Sequence, residues 1–447
     1  RRERLHARRQ ARRGESGVVK CEVTNRDAMI AREHRYVPSL DGLRAICIAA
    51  VLFIHMPPPS GHPWLEAIRS RGWYGVDMFF ILSGFLITWI LAVEVETTGT
   101  VNLGRFYRAR TLRLLPAYLS TILLVLAGAH LFEVAQGNGS YRLADLWPLF
   151  LSYTLNIWMA ATAIWPWGVS HFWSLCVEEH FYLSWSAVMK RWGLRRVLRM
   201  SLLAIPAVAA YRTGWYLWMN HGHLAAPSRA SFFRIYYATD TRIDAILVGS
   251  ALALLVREAR LQGLWRRLES AAWFPSLALL ATLGTIAWVT QYRWRTETFG
   301  YTVMAMASST LLLAIFLQPQ CWIARLLAAR PLVHLGRISY GIYLFHAPLL
   351  AGLEVKLGFS AQYIEPARYL PVLSLLALAS VGAAALHYRA VERRFLAMRG
   401  SRPFLVNSRV APSAPHPAGE APARIGTIAD PARRGAASVR GPGAGAI

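Results

Sequence analysis

Eleven apolar stretches recur along this chain, at about 40–56, 75–93, 112–132, 143–160, 172–190, 197–217, 241–256, 272–290, 300–318, 335–353 and 370–390. Each comes close to the ~20 residues that a helix needs to cross the hydrocarbon of a bilayer. Runs of this length and number predict an all-α fold, a polytopic integral membrane helical bundle.

The basic residues fix the count of crossings. A net charge of +25 over 447 residues would suit a nucleic-acid binder, but the charge is not gathered on one domain. It recurs in short clusters between the apolar runs, which is how membrane topology is written. RFYRARTLR (105–113), KRWGLRR (190–196), REARLQGLWRR (257–267) and the RR of ERRF (392–395) all belong in the cytoplasm by that rule. With the amino terminus inside, three crossings leave the chain outside. KRWGLRR then returns to the cytoplasm only if one of 143–160 and 172–190 crosses. The first of these holds Asp145, Pro148 and Asn156 and suits a re-entrant or interfacial element shielded by protein. The expectation is about ten transmembrane helices plus that segment, in the cytoplasmic (inner) membrane, with both termini cytoplasmic.

Three regions follow from composition. Residues 1–35 carry eleven Lys/Arg against five acids and read as a basic, flexible cytoplasmic arm. Residues 36–396 form the membrane domain. Residues 397–447, rich in Pro, Ala and Arg, bury too little apolar area to fold and read as a disordered tail. The chain opens on an Arg-rich polar arm, so no cleavable signal peptide is expected. Cys21, Cys47, Cys176 and Cys321 show neither CxxC nor metal-ligand spacing, so neither a disulfide framework nor a metal site is expected.

Ionisable residues inside apolar spans are costly and mark sites or pathways. In LDGLRAICIAAVLFIHM (40–56), Asp41 and Arg44 stand at one end and His55 at the other. Arg44 and His55 are ~16 Å apart along a helix and point from nearly the same face. GVDMFFILSGFLITWI (75–90) places Asp77 near the outer end of the second span. Two roles stay open for it: a helix N-cap, or the carboxylate that holds His55 in one tautomer. In HFWSLCVEEHFYLSW (171–185), Ser174 and Glu178 share a helical face, and two adjacent carboxylates in an apolar run call for pairing or function. Arg242 and Asp244 open another span, where an ion-pair network and substrate binding are both open. His346 sits cofacial with Ser339 at the level expected for His55. Arg105, Arg108, Arg110 and Arg113 form a basic mouth suited to anionic lipid heads or to the phosphates of a donor.

These fragments together resemble the acyltransferase family 3 of integral membrane O-acyltransferases, over roughly residues 36–396. The resemblance rests on YVPSLDGLRAICIAAVLFIH (36–55), GVDMFFILSGFLIT (75–88), FYRARTLRLLPAY (106–118), WSLCVEEHFYL (173–183), TRIDAILVG (241–249) and SYGIYLFHAPLL (339–350), in the family's order. It implies transfer of an acyl group, usually acetyl, from cytoplasmic acyl-CoA to a hydroxyl of a carbohydrate or glycosylated acceptor. Surface polysaccharide, peptidoglycan and lipid-linked sugar are the acceptors it suggests, with a secreted metabolite such as a macrolide as the alternative. It also makes His55 and Arg44 the catalytic pair by position, and matches Glu178 to the acid of the WSLxxE segment. His180 stands where Gln is usual, and ERRF lacks the Pro that commonly follows the last Glu. The residues after the membrane part are too few and too Pro/Ala-rich for the hydrolase-type domain fused to many members.

Acyl transfer needs a base or an acyl-carrying nucleophile, and positive charge or dipoles at the oxyanion. His55 fits the first role, with Asp77 or Glu178 to orient it. Arg44 with Asp41, Arg105, Arg108, Arg110 and Arg113 is expected on the donor side, and Ser174, Arg242, Asp244 and His346 in substrate binding. No bound cofactor or nucleic-acid partner is expected; acyl-CoA is the donor substrate. The competing class is a glycan transporter or flippase, but the paired broken spans of inverted repeats are not found.

Overall fold

The first apolar run becomes helix α1, Pro38–His55. Pro38 stands at its first turn, where a missing N–H breaks no bond, and Pro57 and Pro58 follow its end. The computed structural model describes residues 36–58, 62–131, 143–224, 227–359 and 364–398. The arm 1–35 lies outside the described residues, as does the tail from residue 399.

Every segment of regular structure longer than one residue is helical among the described residues. After α1 the long helices are α2 (Tyr74–Thr98), α3 (Leu103–Leu131), α4 (Trp173–Arg191), α5 (Leu194–Met219), α6 (Thr239–Arg257), α7 (Phe274–Val289), α8 (Tyr301–Leu317), α9 (Ser339–Leu357) and α10 (Pro366–His387). Each of the ten expected crossings coincides with one of them. The eleventh stretch, 143–160, does not form a long helix. It breaks into a 3₁₀ turn and two short helices, Trp147–Leu151 and Leu155–Thr162. Its buried Asn156 donates to the Tyr237 carbonyl at 3.2 Å and the Thr239 hydroxyl at 2.9 Å, so protein supplies the partners that lipid would not.

By length and apolar content alone, five helical stretches among the described residues suffice to cross a bilayer, or up to seven if two bent pairs each count as one span. The bends are 95° before α7 and 70° before α9. Helices α4, α5 and α6 have 19, 26 and 19 residues, long enough to span, but carry charged residues that lower their hydropathy. Three of those charges, Arg212, Arg242 and Asp244, are buried in the bundle. Arg212 of α5 is fully buried, pairs with Asp244 at 2.9 Å, and donates to the carbonyls of Thr298 and Thr241 at 2.6 and 2.7 Å. Arg242 pairs with Asp77 of α2, and both are buried.

Helices α2 and α6 run through the middle of the bundle. They meet at Gly84 and Gly249, where a Cβ would lie 1.9 Å from the Ile246 oxygen and 2.0 Å from the Ile81 oxygen respectively. Only a residue without a side chain permits that approach. Helices α3 and α10 lie at the edge, with Leu123, Leu124, Leu370, Leu378 and Leu386 exposed for lipid. They are tied by Ser120, whose hydroxyl meets His387 Nε2 at 2.7 Å, while His387 Nδ1 lies 3.3 Å from Glu392 in the π-helical turn that follows.

Candidate active site

Two cavities open from opposite ends of α1. The arginine-side cavity, about 310 Å³, is lined by Asp41, Arg44, Arg110, Arg113, Ser174 and Glu178, among others. The histidine-side cavity, about 910 Å³, is lined by His55, His171, Trp167, Trp173, Tyr236 and Glu297, among others. Arg44 and His55 therefore belong to different chambers, as their ~16 Å separation along one helix requires.

His55 is the last residue of α1 and half-buried. Its Nδ1 lies 2.8 Å from the Val51 carbonyl, one turn back. A carbonyl only accepts, so Nδ1 carries the proton and Nε2 is the bare, basic nitrogen. His346 of α9 repeats the device: its Nδ1 donates to the Tyr343 carbonyl at 2.7 Å, and its Nε2 is buried without a partner. The His55 and His346 rings meet with centroids 4.8 Å apart, and the His171 ring lies 4.9 Å from that of His346. His171 Nε2 faces the Leu344 carbonyl at 3.3 Å, and its Nδ1 is buried and unpaired. Three imidazoles thus hold their protons on backbone carbonyls and keep one bare nitrogen each. Among the described residues, no group of three or more His, Cys, Asp or Glu is placed to hold a metal ion.

The carboxylates expected beside His55 are elsewhere. Asp77 gives one oxygen to Arg242, and its other oxygen has no partner. Arg242 itself lies 3.8 Å over the Tyr301 ring. Asp77 is drawn to this buried guanidinium because an unpaired charge inside the bundle is far costlier than an unpaired imidazole nitrogen. The tautomer of His55 is set by its own helix. Glu178 accepts from the Ser83 hydroxyl at 2.8 Å and the Tyr182 hydroxyl at 3.0 Å, within the arginine-side cavity, so it too makes no bond to His55. Asp244 is held by Arg212 and Thr302, and neither Arg242 nor Asp244 lines either cavity.

The basic mouth divides in two. Arg110 and Arg113 line the arginine-side cavity, with the Arg110 guanidinium 4.0 Å over the Tyr182 ring. Arg105 instead pairs with Glu94 at 2.6 Å, and Arg108 is exposed and outside the lining. Asp41 accepts from the Tyr36 phenol at 2.5 Å, and Arg337 donates to that phenol at 2.9 Å. Burial, helped by Asp41, raises the Tyr36 phenol above its ordinary value. His180, in the position where Gln was expected, meets the Thr239 hydroxyl at 2.8 Å.

Two residues of the site were passed over in the sequence. His171 stands three residues before Ser174, and Tyr343 three residues before His346, so the signals were their spacings to Ser174 and to His346. Tyr343 is buried, and its hydroxyl donates to the His171 carbonyl at 2.7 Å. Its single proton being used there, the Ser174 hydroxyl is the donor in their 2.6 Å contact.

Comparison with known proteins converges on one family. The chain is 29% identical over 331 residues to the peptidoglycan O-acetyltransferase OatA of Listeria monocytogenes, covering 71% of this chain and 50% of that protein. It is 28% identical over 330 residues to the O-acetyltransferase OatA of Staphylococcus aureus, covering 71% and 51%. The chain thus spans about half the length of the curated relatives it matches. No solved structure matches it. The family model for the acyltransferase domain matches residues 37–389, nearly all of the helical bundle that carries both cavities, and the chain belongs to that acyltransferase family.

Proposed function

We propose that the chain is a membrane O-acyltransferase that moves an acyl group, acetyl in the simplest case, from cytoplasmic acyl-CoA to a carbohydrate hydroxyl. The observation that carries this reading is the pair of cavities on α1, one lined by Arg44, Arg110 and Arg113 and the other by His55 and His171, whose rings both meet the buried His346. The arginine-side cavity faces the cytoplasm. Arg44, Arg110 and Arg113 hold the phosphates of the donor at its mouth, and the pantetheine arm runs inward past Ser83 and Glu178. The histidine-side cavity faces outward and holds the acceptor against Trp167, Trp173 and Tyr236, whose rings suit the apolar faces of sugars.

His55 Nε2 takes the proton of the acceptor hydroxyl as its oxygen attacks the thioester carbonyl. A carbon–oxygen bond forms, the carbon–sulfur bond breaks, and the proton passes to the departing thiolate. The same nitrogen suits a two-step route in which His55 carries the acyl group between donor and acceptor. Peptidoglycan, named in the Listeria relative, is the first acceptor to test. In this reading the protein lies in the cytoplasmic membrane, with both termini in the cytoplasm.

The test is transfer of label from [¹⁴C]acetyl-CoA to glycan fragments by purified protein in proteoliposomes, followed by release of the label with mild alkali. Alkali-labile label on the glycan, absent with His55→Ala, is expected. Consumption of acetyl-CoA with no acceptor ester formed from any glycan or glycoside would overturn the assignment.

A further inference from the structure

The two cavities share part of their walls. Val76 and Tyr343 line both. On one side Tyr343 faces Phe79 of the arginine-side cavity, ring centroids 6.5 Å apart. On the other it faces His171 and His346, each at 5.4 Å. Its hydroxyl is held from both sides as well, by Ser174 of the arginine-side cavity and by the carbonyl of His171 of the histidine-side cavity. An aromatic ring is thus latched across the boundary between the two chambers.

We infer that Tyr343 is the partition between donor and acceptor chambers and a positioning residue for transfer, its ring swinging aside to let the donor's thioester reach His55. This rests on the reading of the two cavities as donor and acceptor sites. A chain with a water-filled path through its middle would leak solutes and expose the thioester to hydrolysis, so the boundary has to close when no acyl group occupies it. Val76 and the Tyr343 ring supply an apolar closure. The swing leaves the histidine cluster intact, because His346 is anchored to the backbone carbonyl of Tyr343 and not to its side chain. Ser174 gains a role from the same geometry: it holds the latch.

The test compares wild type, Tyr343→Phe and Tyr343→Ala for hydrolysis of acyl-CoA without acceptor and for transfer with acceptor. Tyr343→Ala is expected to raise the ratio of hydrolysis to transfer by about tenfold, and Tyr343→Phe, which keeps the ring and loses the latch, by about threefold. The KM for acyl-CoA should move less in both than with Arg110→Ala, since the arginines at the mouth are untouched. Wild-type ratios in both variants, or in Tyr343→Phe where Tyr343→Ala does not fold, overturn the inference.

A second measurement does not depend on chemistry. In a cysteine-free background, Leu86→Cys places a thiol in the arginine-side cavity. A membrane-impermeant maleimide added from the histidine side of proteoliposomes is expected to label it with Tyr343→Ala and not with Tyr343 intact. Equal labelling in the two backgrounds overturns the partition. If wild type consumes no acyl-CoA at all, the proposed function fails, and this labelling decides the partition alone.

Discussion

The imidazoles of His55, the last residue of α1, and His346, inside α9, meet edge to face with 4.8 Å between ring centroids. Each ring's Nδ1 is tied to a carbonyl of its own helix, so neither depends on a carboxylate for its tautomer. Both rings are thus oriented by backbone geometry, unlike the Ser-His-Asp arrangement in which an acid orients the ring.

His55→Ala is expected to lower kcat by about 10²–10⁴-fold, the range for removal of a general base, with protein level in the membrane unchanged. Asp77→Asn should leave the pH dependence of kcat where it is in wild type, because Asp77 makes no bond to His55. A shift of that profile in Asp77→Asn would restore the carboxylate to the mechanism.

The arginines at the mouth separate by their partners. Arg110 lines the cavity, whereas Arg105 is half-exposed and bound to Glu94. A charge-assisted hydrogen bond to a phosphate is worth about 1.5–3 kcal/mol, so Arg110→Ala should raise the KM for acyl-CoA by about tenfold or more. Arg105→Ala should change it by less than about threefold, since exposed ion pairs contribute little. Initial-rate kinetics over a range of acyl-CoA concentrations distinguishes the two.

The fold was legible because hydropathy and basic loops are local signals. They located the ten long helices and set 143–160 apart as a re-entrant or interfacial segment, which the structure breaks into short helices. The site was legible only in part. That Arg44 and His55 share a helix is a matter of spacing, and it holds. The partner of Asp77 is not, since Arg242 lies 165 positions away and reaches it only through packing of α2 on α6. Glu178 went astray for a related reason: its level along α4 could be read, but not which cavity its face would meet. His171 and Tyr343 escaped notice because a His and a Tyr in aromatic-rich runs look like packing residues until folding brings their rings together.

Removing one partner of a buried ion pair leaves the other charge stranded. Arg242 is 1% exposed and its remaining nitrogens lack partners, so it has no alternative to Asp77. Asp77→Ala is expected to destabilise the protein by about 3–5 kcal/mol. The double variant Asp77→Leu with Arg242→Met should recover most of that loss. Thermal unfolding in detergent, followed by size-exclusion elution, measures both.

Two turns along α2 and α6 from that ion pair, Gly84 and Gly249 let the same two helices touch backbone to backbone. The pair and the glycine contact share one offset in sequence, so both are consequences of a single parallel register between these helices. Gly249→Val would drive a side chain into the Ile81 carbonyl and push the helices apart, at a cost of about 1–3 kcal/mol from overpacking. Because the Arg242–Asp77 bond needs the same close approach, the effects of Gly249→Val and Asp77→Ala should not add: once the helices separate, the ion pair is already weakened. A double-mutant cycle on thermal stability reads this directly. A combined loss smaller than the sum is expected, and strict additivity would mean that the two contacts hold α2 and α6 independently.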